Sequence, residues 1–172
     1  MNLLAAATAL TLLTATPTLA QIQPNTLNGT LDSNSRVQSN DNSYYNTHTF
    51  EGKAGEQITI DLTSSEFDSY LILLDHENNK IAEDDDGGEG KNARIIVTLP
   101  TTGTYTILAN AYAEQSGNYT LSWRETTAED LELSEAEQLS QQVVQLFGQG
   151  QYTEAIPLAE RALAIRKKVL GA

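Results

Sequence analysis

The 172-residue sequence contains no cysteine and only two histidines. Without cysteine there is no disulfide framework, no thiolate zinc site and no thiol nucleophile, so stability must come from burial. His48 lies on a candidate strand with Phe50 on its own face, and His76 sits in a turn. Two isolated histidines make no metal signature, and "HENNK" is not H-E-x-x-H. Basic residues are also scarce: 10 Lys and Arg stand against 23 Asp and Glu, a net charge of -13. Such a surface repels nucleic acid and anionic lipid, because both bind by releasing counterions to Lys and Arg. The G-x-S-x-G elbow, the Walker loop and the dinucleotide fingerprint are all missing. These absences point away from an enzyme. Stable membrane insertion is not expected either, since a span needs about 20 strongly apolar residues.

What is present begins with "MNLLAAATALTLLTATPTLAQ", an uncharged run of apolar and small residues. It is too rich in Thr, and too interrupted by Pro17, to serve as an anchor. Its end, Thr18-Leu19-Ala20, places small residues where a signal peptidase reads. Residues 1–20 therefore read as a signal peptide, although no Lys or Arg precedes the apolar run. The expected location is secreted or periplasmic. Residues 21–41 form a polar, Asn- and Ser-rich segment with a short strand at Thr26 to Leu31.

Over residues 42–124 the apolar side chains fall at period two between closely spaced turn signals, the pattern of an all-β sandwich. "QITIDL" puts Ile58, Ile60 and Leu62 on one face. "SYLILLD" is apolar on both faces and belongs in the middle of the structure. "GTYTIL" and "GNYTLS" rhyme: in each a glycine ends a turn and a tyrosine shares its face with an aliphatic residue. Tyr105, Ile107, Tyr119, Leu121 and Trp123 are expected in the core, because a one-residue slip would expose the whole apolar set.

After Trp123 comes "RETTAEDLELSEAEQ", which is acidic and lacks glycine. Residues 125–134 read as an acidic linker, and residues 135–172 as a helical hairpin. Ser134 and Glu137 have capping-box spacing. Leu139, Val143, Leu146 and Phe147 recur at helical intervals, "GQGQY" breaks the first helix, and a second begins near Thr153. Ala155, Ile156, Ala159, Ala162, Leu163, Arg166, Val169 and Leu170 describe one stripe, ending at a stop signal in Gly171. Pro157 is tolerable only in a first turn, so a late start or a local bend is expected there.

The acidic stretch "KIAEDDDGGEGKNARIIV" invites a chemical reading. An EF-hand does not fit: with Gly87 at the sixth loop position the twelfth residue is Ala93, and with Gly88 it is Arg94. Paired-carboxylate catalysis fits badly, because adjacent acids on one loop do not flank a substrate. Two readings stay open. One is a calcium site, in which a flexible acidic loop supplies hard oxygen ligands. The other is a solvated loop partly neutralised by Lys91 and Arg94.

The segments "FEGKAGEQITIDL", "FDSYLILLD", "IAEDDDGGEGKNARI" and "LPTTGTYTILANAYAEQSGNYTLSW" together resemble the bacterial pre-peptidase C-terminal domain (PPC). That resemblance implies a mainly β fold, an antiparallel sandwich of jelly-roll type. It also implies a non-catalytic module carried by exported proteins, some of which bind calcium, collagen or other extracellular polymers. In it Asp68 opens a strand beside the acidic loop, so Asp68, Asp84, Asp85 and Asp86 are the implied calcium ligands, with the amide oxygen of Asn92. Gly150, Tyr152, Ala155, Ala159 and Ala162 resemble one tetratricopeptide repeat of kinesin-light-chain type, with Val143 in the place of a small residue. That implies a protein partner. A single repeat cannot bury its apolar face alone, so the hairpin is expected to begin a longer array. The combined expectation is an exported accessory or binding protein joined to an interaction scaffold. An adhesion module gripping an extracellular polymer, or the non-catalytic part of a secreted peptidase, are the alternatives.

Overall fold

The computed structural model describes Ile22 and residues 24–171. The expected signal peptide, residues 1–20, lies outside the described residues.

Nine strands precede two helices. They are β1 (Asn25–Leu31), β2 (Arg36–Val37), β3 (Tyr44–Gly52), β4 (Gln57–Thr63), β5 (Ser69–Leu74), β6 (Lys80–Asp84), β7 (Ala93–Thr98), β8 (Gly103–Ala111) and β9 (Gly117–Glu125). The helices are α1 (Ala128–Gly148) and α2 (Tyr152–Leu170). One sheet has the order β1-β9-β4-β7 and the other β2-β3-β8-β5-β6, with antiparallel pairing throughout. The expected sandwich with a C-terminal helical hairpin is the observed architecture.

Period-two patterning dictates which side chains meet between the sheets. Ile58, Ile60 and Leu62 of β4 are fully buried, as are Leu71 and Leu73 of β5. Tyr105, Ile107, Tyr119, Leu121 and Trp123 all join the same core. Phe50 stacks on Tyr105 with ring centroids 5.5 Å apart and also meets Trp123 at 6.1 Å. Burying one such apolar side chain contributes about 1.5–3 kcal/mol, so this cluster is the main source of stability. The two rhyming strands part company: β8 sits at the centre of one sheet and β9 inside the other.

The strand expected at Thr26 to Leu31 is β1; it pairs along its whole length with β9, from Asn25↔Trp123 to Leu31↔Gly117, and makes a sheet edge. Other features differ from the sequence-based expectation. Glu83 and Asp84 belong to strand β6, opposite Ile72 and Leu71, rather than to a loop. Helix α1 begins at Ala128, inside the stretch read as a linker. Its capping box is Thr127 with Asp130, not Ser134 with Glu137. The earlier start is stabilised because Asp130 also finds partners on the sandwich, which no local pattern reveals.

Helix α2 starts at Tyr152 and continues through Pro157, so the expected late start does not occur. It ends as expected, with Gly171 left-handed at φ 72° and its N–H donating to the Lys167 carbonyl. That φ favours glycine, which has no Cβ to clash.

Candidate functional site

The acidic hairpin end is built by β6, the loop after it, and β7. Asp84, at the end of β6, accepts hydrogen bonds at Oδ2 from the backbone N–H of Gly87 (2.7 Å) and of Arg94 (2.8 Å). Burial raises its carboxyl above the ordinary value of 3.8, the neighbouring Asp85 and Asp86 charges add to this, and the two N–H donors oppose it. Its role is to close the loop. A Cβ on Gly87 would stand 2.5 Å from Asp84 Oδ1, so this closure needs glycine there.

Asp85 Oδ1 accepts from the backbone N–H of Asp86 at 3.0 Å. Asp68 pairs with Lys91 Nζ at 2.8 Å. Asp86 is held above the ordinary carboxylate value, first by burial and then by the charges of Asp85 and Asp68, with Lys91 opposing. The structure thus brings Asp68 and Asp85 within electrostatic reach of Asp86. Asp84 is turned to the backbone instead. Asn92 Oδ1 accepts from Ser64 N–H at 3.0 Å, so that amide oxygen is engaged away from the loop. Among the described residues, no group of three or more His, Asp or Glu side chains could hold a metal ion.

Arg94 does not neutralise the loop. Its Nε reaches Asp61 Oδ1 at 2.5 Å, on the outer face of the four-stranded sheet. Asp61 in turn faces Arg124, whose guanidinium grips Asp130 with Nη1–Oδ2 and Nη2–Oδ1 distances of 2.7 Å each. Asp130 Oδ2 also accepts from Thr127 N–H (2.8 Å), Thr127 Oγ1 (2.9 Å) and Thr59 Oγ1 (3.2 Å). Only 3% exposed, Asp130 ties the first turn of α1 to strands β4 and β9. Burial opposes its charge, but the donors of Thr127 and Arg124 prevail and hold the carboxyl below its ordinary value. Sequence reading missed this residue. The T-x-x-D spacing of Thr127 and Asp130 was the available signal.

The hairpin packs through Ala136 and Leu139 of α1 against Ala162, Leu158 and Ile165 of α2. Glu137–Arg166 (2.8 Å) and Glu132–Lys168 (2.6 Å) flank this seam, together with a Glu135–Arg161 pair. The single stripe expected on α2 is therefore split. Ala155 and Ala162 are buried, Ala162 against α1, whereas Ile156 and Leu163 face outward and Leu170, also exposed, borders a cavity with Leu133 and the loop of Gly87 to Gly90. Phe147 and Tyr152, in an edge-to-face contact at 5.0 Å, are also exposed at the turn. Among the described residues, no helix is long and apolar enough to cross a membrane.

Residues 44–111 match the family model described as the bacterial pre-peptidase C-terminal domain. Strands β3 to β8 of the sandwich carry this PPC match. Residues 146–172 match a tetratricopeptide repeat model, which spans the end of α1 and all of α2. Among solved structures, similar chains include the PPC domain of collagenase from Bacillus anthracis. It is 19% identical, with 58% of this chain and 88% of that one covered and a TM-score of 0.44. PliG of Aeromonas hydrophila, a periplasmic inhibitor of g-type lysozyme, is 14% identical over 65% of this chain and 93% of its own, with a TM-score of 0.46. PliG of Salmonella Typhimurium is 13% identical over 62% and 90%, with a TM-score of 0.41. No curated protein matches the chain.

One face of the PPC sandwich has a feature that the sequence pattern did not flag. In β8, Tyr105, Ile107, Ala109 and Ala111 point into the core, so Leu108 and Asn110 point outward. Asn110 is nevertheless only 2% exposed, and its Oδ1 has no hydrogen-bond partner among the described residues. Across the sheet, the row through it reads Arg36, Tyr45, Asn110, Tyr70. Tyr70 donates to Glu83 Oε2 at 2.6 Å, and its phenol is pushed up to about 12 by burial, then by Glu83, Asp85 and Asp41. The rim of this row is acidic.

Proposed function

We propose that this chain is an exported, non-catalytic binding protein, in which the PPC sandwich carries a helical hairpin that makes the protein contact. The observation that supports it most is the outward apolar face of α2, held at a defined place on the sandwich by Asp130. An unpartnered apolar face of this kind marks an interaction site rather than a stable surface. The tetratricopeptide match supports a protein as the partner. The uncharged N-terminal run ending at Thr18-Leu19-Ala20 supports export.

Both halves are testable. A photo-crosslinker placed at Leu163 in the producing cell should give a discrete adduct, while one at exposed Gln142 should not. Smearing or silence at both positions would remove the contact. Cell fractionation should find the protein outside the cytoplasm with a mature terminus at Gln21, and an unprocessed cytoplasmic chain would end the export reading.

Binding of an extracellular polymer is a second reading, supported by the row Tyr45, Asn110, Tyr70. Tyrosine rings supply apolar faces with a polar tip, and the acidic rim suits a neutral or cationic chain over an anionic one. Co-sedimentation with insoluble glycans, comparing the parent with Tyr45→Ala and Tyr70→Ala, tests it. Calcium at Asp68, Asp84, Asp85 and Asp86 is a separate proposal, disfavoured by the backbone N–H groups on Asp84 and Asp85 and by Lys91 on Asp68. The unfolding midpoint should be the same in calcium and in chelator, since only a ligand of the folded state raises it. A rise abolished by Asp86→Asn would restore the cation to Asp68, Asp85 and Asp86.

A further inference from the structure

Ile156, Leu163 and Leu170 are 57%, 52% and 54% exposed and lie seven residues apart on α2. On a straight helix a seven-residue step drifts by only about 20°, so the three side chains form one line. Glu160 and Lys167 stand on the same face, four residues after Ile156 and Leu163 respectively, and both are exposed. The ion pairs that fasten α2 to α1 use Arg161, Arg166 and Lys168 instead. The outward line therefore reads Ile156, Glu160, Leu163, Lys167, Leu170.

Reversed, that line keeps its apolar pattern and exchanges its charges. Laid antiparallel on itself about Leu163, it sets Ile156 against Leu170 and brings Glu160 within one residue of Lys167. Laid parallel, it sets Glu160 against Glu160 and Lys167 against Lys167. The charges select the antiparallel arrangement, because like charges brought face to face oppose association. Ala159, also exposed, borders the line and leaves room for a close helix approach. We infer that the α2 face pairs with the same face of a second copy, in a two-fold contact centred on Leu163. Such a contact is self-complementary and closes after two copies. The inference rests on the reading of the hairpin as an interaction element and names its partner.

The occupant is decided by sedimentation equilibrium of the purified full chain over a concentration series. The expected mass is that of two copies. Leu163→Glu should sediment as one copy at every concentration, with unchanged far-UV circular dichroism. Lys167→Glu should weaken the dimer by about tenfold or more, since both symmetry-related pairs become like-charged. Adding Glu160→Lys to Lys167→Glu should restore it, which a merely misfolded hairpin could not do. A parent chain of single-copy mass throughout, a dimer indifferent to Leu163→Glu, or a charge swap without rescue would each overturn the inference. A single-copy parent whose Leu163 crosslinks to a different protein would overturn self-pairing alone and leave the protein-contact reading standing.

Discussion

Asp130 and His48 show how much a single titratable side chain can hold in this molecule. Asp130 is buried against a bidentate Arg124 with three further donors around it. Arg124 keeps Asp61, but the donors of Thr127 and Thr59 lose their acceptor, so Asp130→Ala should lower the free energy of unfolding by about 1–3 kcal/mol. Urea denaturation measures this, and a loss below about 1 kcal/mol would mean the junction contributes no more than a surface pair. His48 bonds through Nε2 to the Tyr119 hydroxyl at 2.9 Å, and burial lowers its pKa from the ordinary 6.5. A His with a depressed folded pKa stabilises the fold above its unfolded value, and that contribution is lost as pH falls below it. The unfolding midpoint should therefore drop on acidification below about 6.5. His48→Gln, which keeps a polar group near Tyr119, should flatten that part of the profile. An unchanged slope would assign the titration elsewhere. For Asp130 the window lies lower: its contribution persists above 3.8 and is lost as pH falls through its depressed folded value.

At the scale of elements, the strands of the two sheets were largely legible. Period-two runs put Ile58, Ile60 and Leu62, or Tyr119, Leu121 and Trp123, on one face, and each of these is buried. Strand β1 was legible as Thr26 to Leu31, although "NTLNGTL" buries only its last residue, Leu31, fully. Its membership of the sheet is testable at Gly29, where an added Cβ would lie 2.3 Å from the ring of Tyr119. Gly29→Ala should cost about 1–3 kcal/mol through this overpacking, read from the denaturation midpoint. A neutral result would detach β1 from the fold. Strand β6 escaped sequence reading for a different reason: its five residues, with Ile81 next to Ala82 and Glu83 next to Asp84, show no alternation. Of the four carboxylates singled out, Asp68 pairs with Lys91, whereas Asp84 and Asp85 accept backbone N–H groups. Asp84 turns to Gly87 and Arg94, which sequence spacing cannot distinguish from pointing at a cation.

For the whole molecule, charge is the dominant long-range quantity. At -13 the folded chain repels itself, most strongly where salt does not screen it. Raising ionic strength to about 0.15 M, where the Debye length is about 8 Å, should raise the unfolding midpoint. A midpoint that falls with salt would show that pairs such as Asp61 with Arg94 outweigh the net repulsion. The same reasoning predicts that association of two copies tightens with moderate salt.

Alternation and helical spacing acted within single segments, so the sequence by itself determined the strand faces, the hairpin and the stop at Gly171. Tertiary structure alone decided which sheet each rhyming strand joined, where α1 began, and which half of the α2 stripe faced outward. The physical reason is distance along the chain. Asp130 owes its position partly to Thr59, and Tyr119 meets His48, residues 71 positions away in each case. No local period carries information about partners that only folding brings into contact.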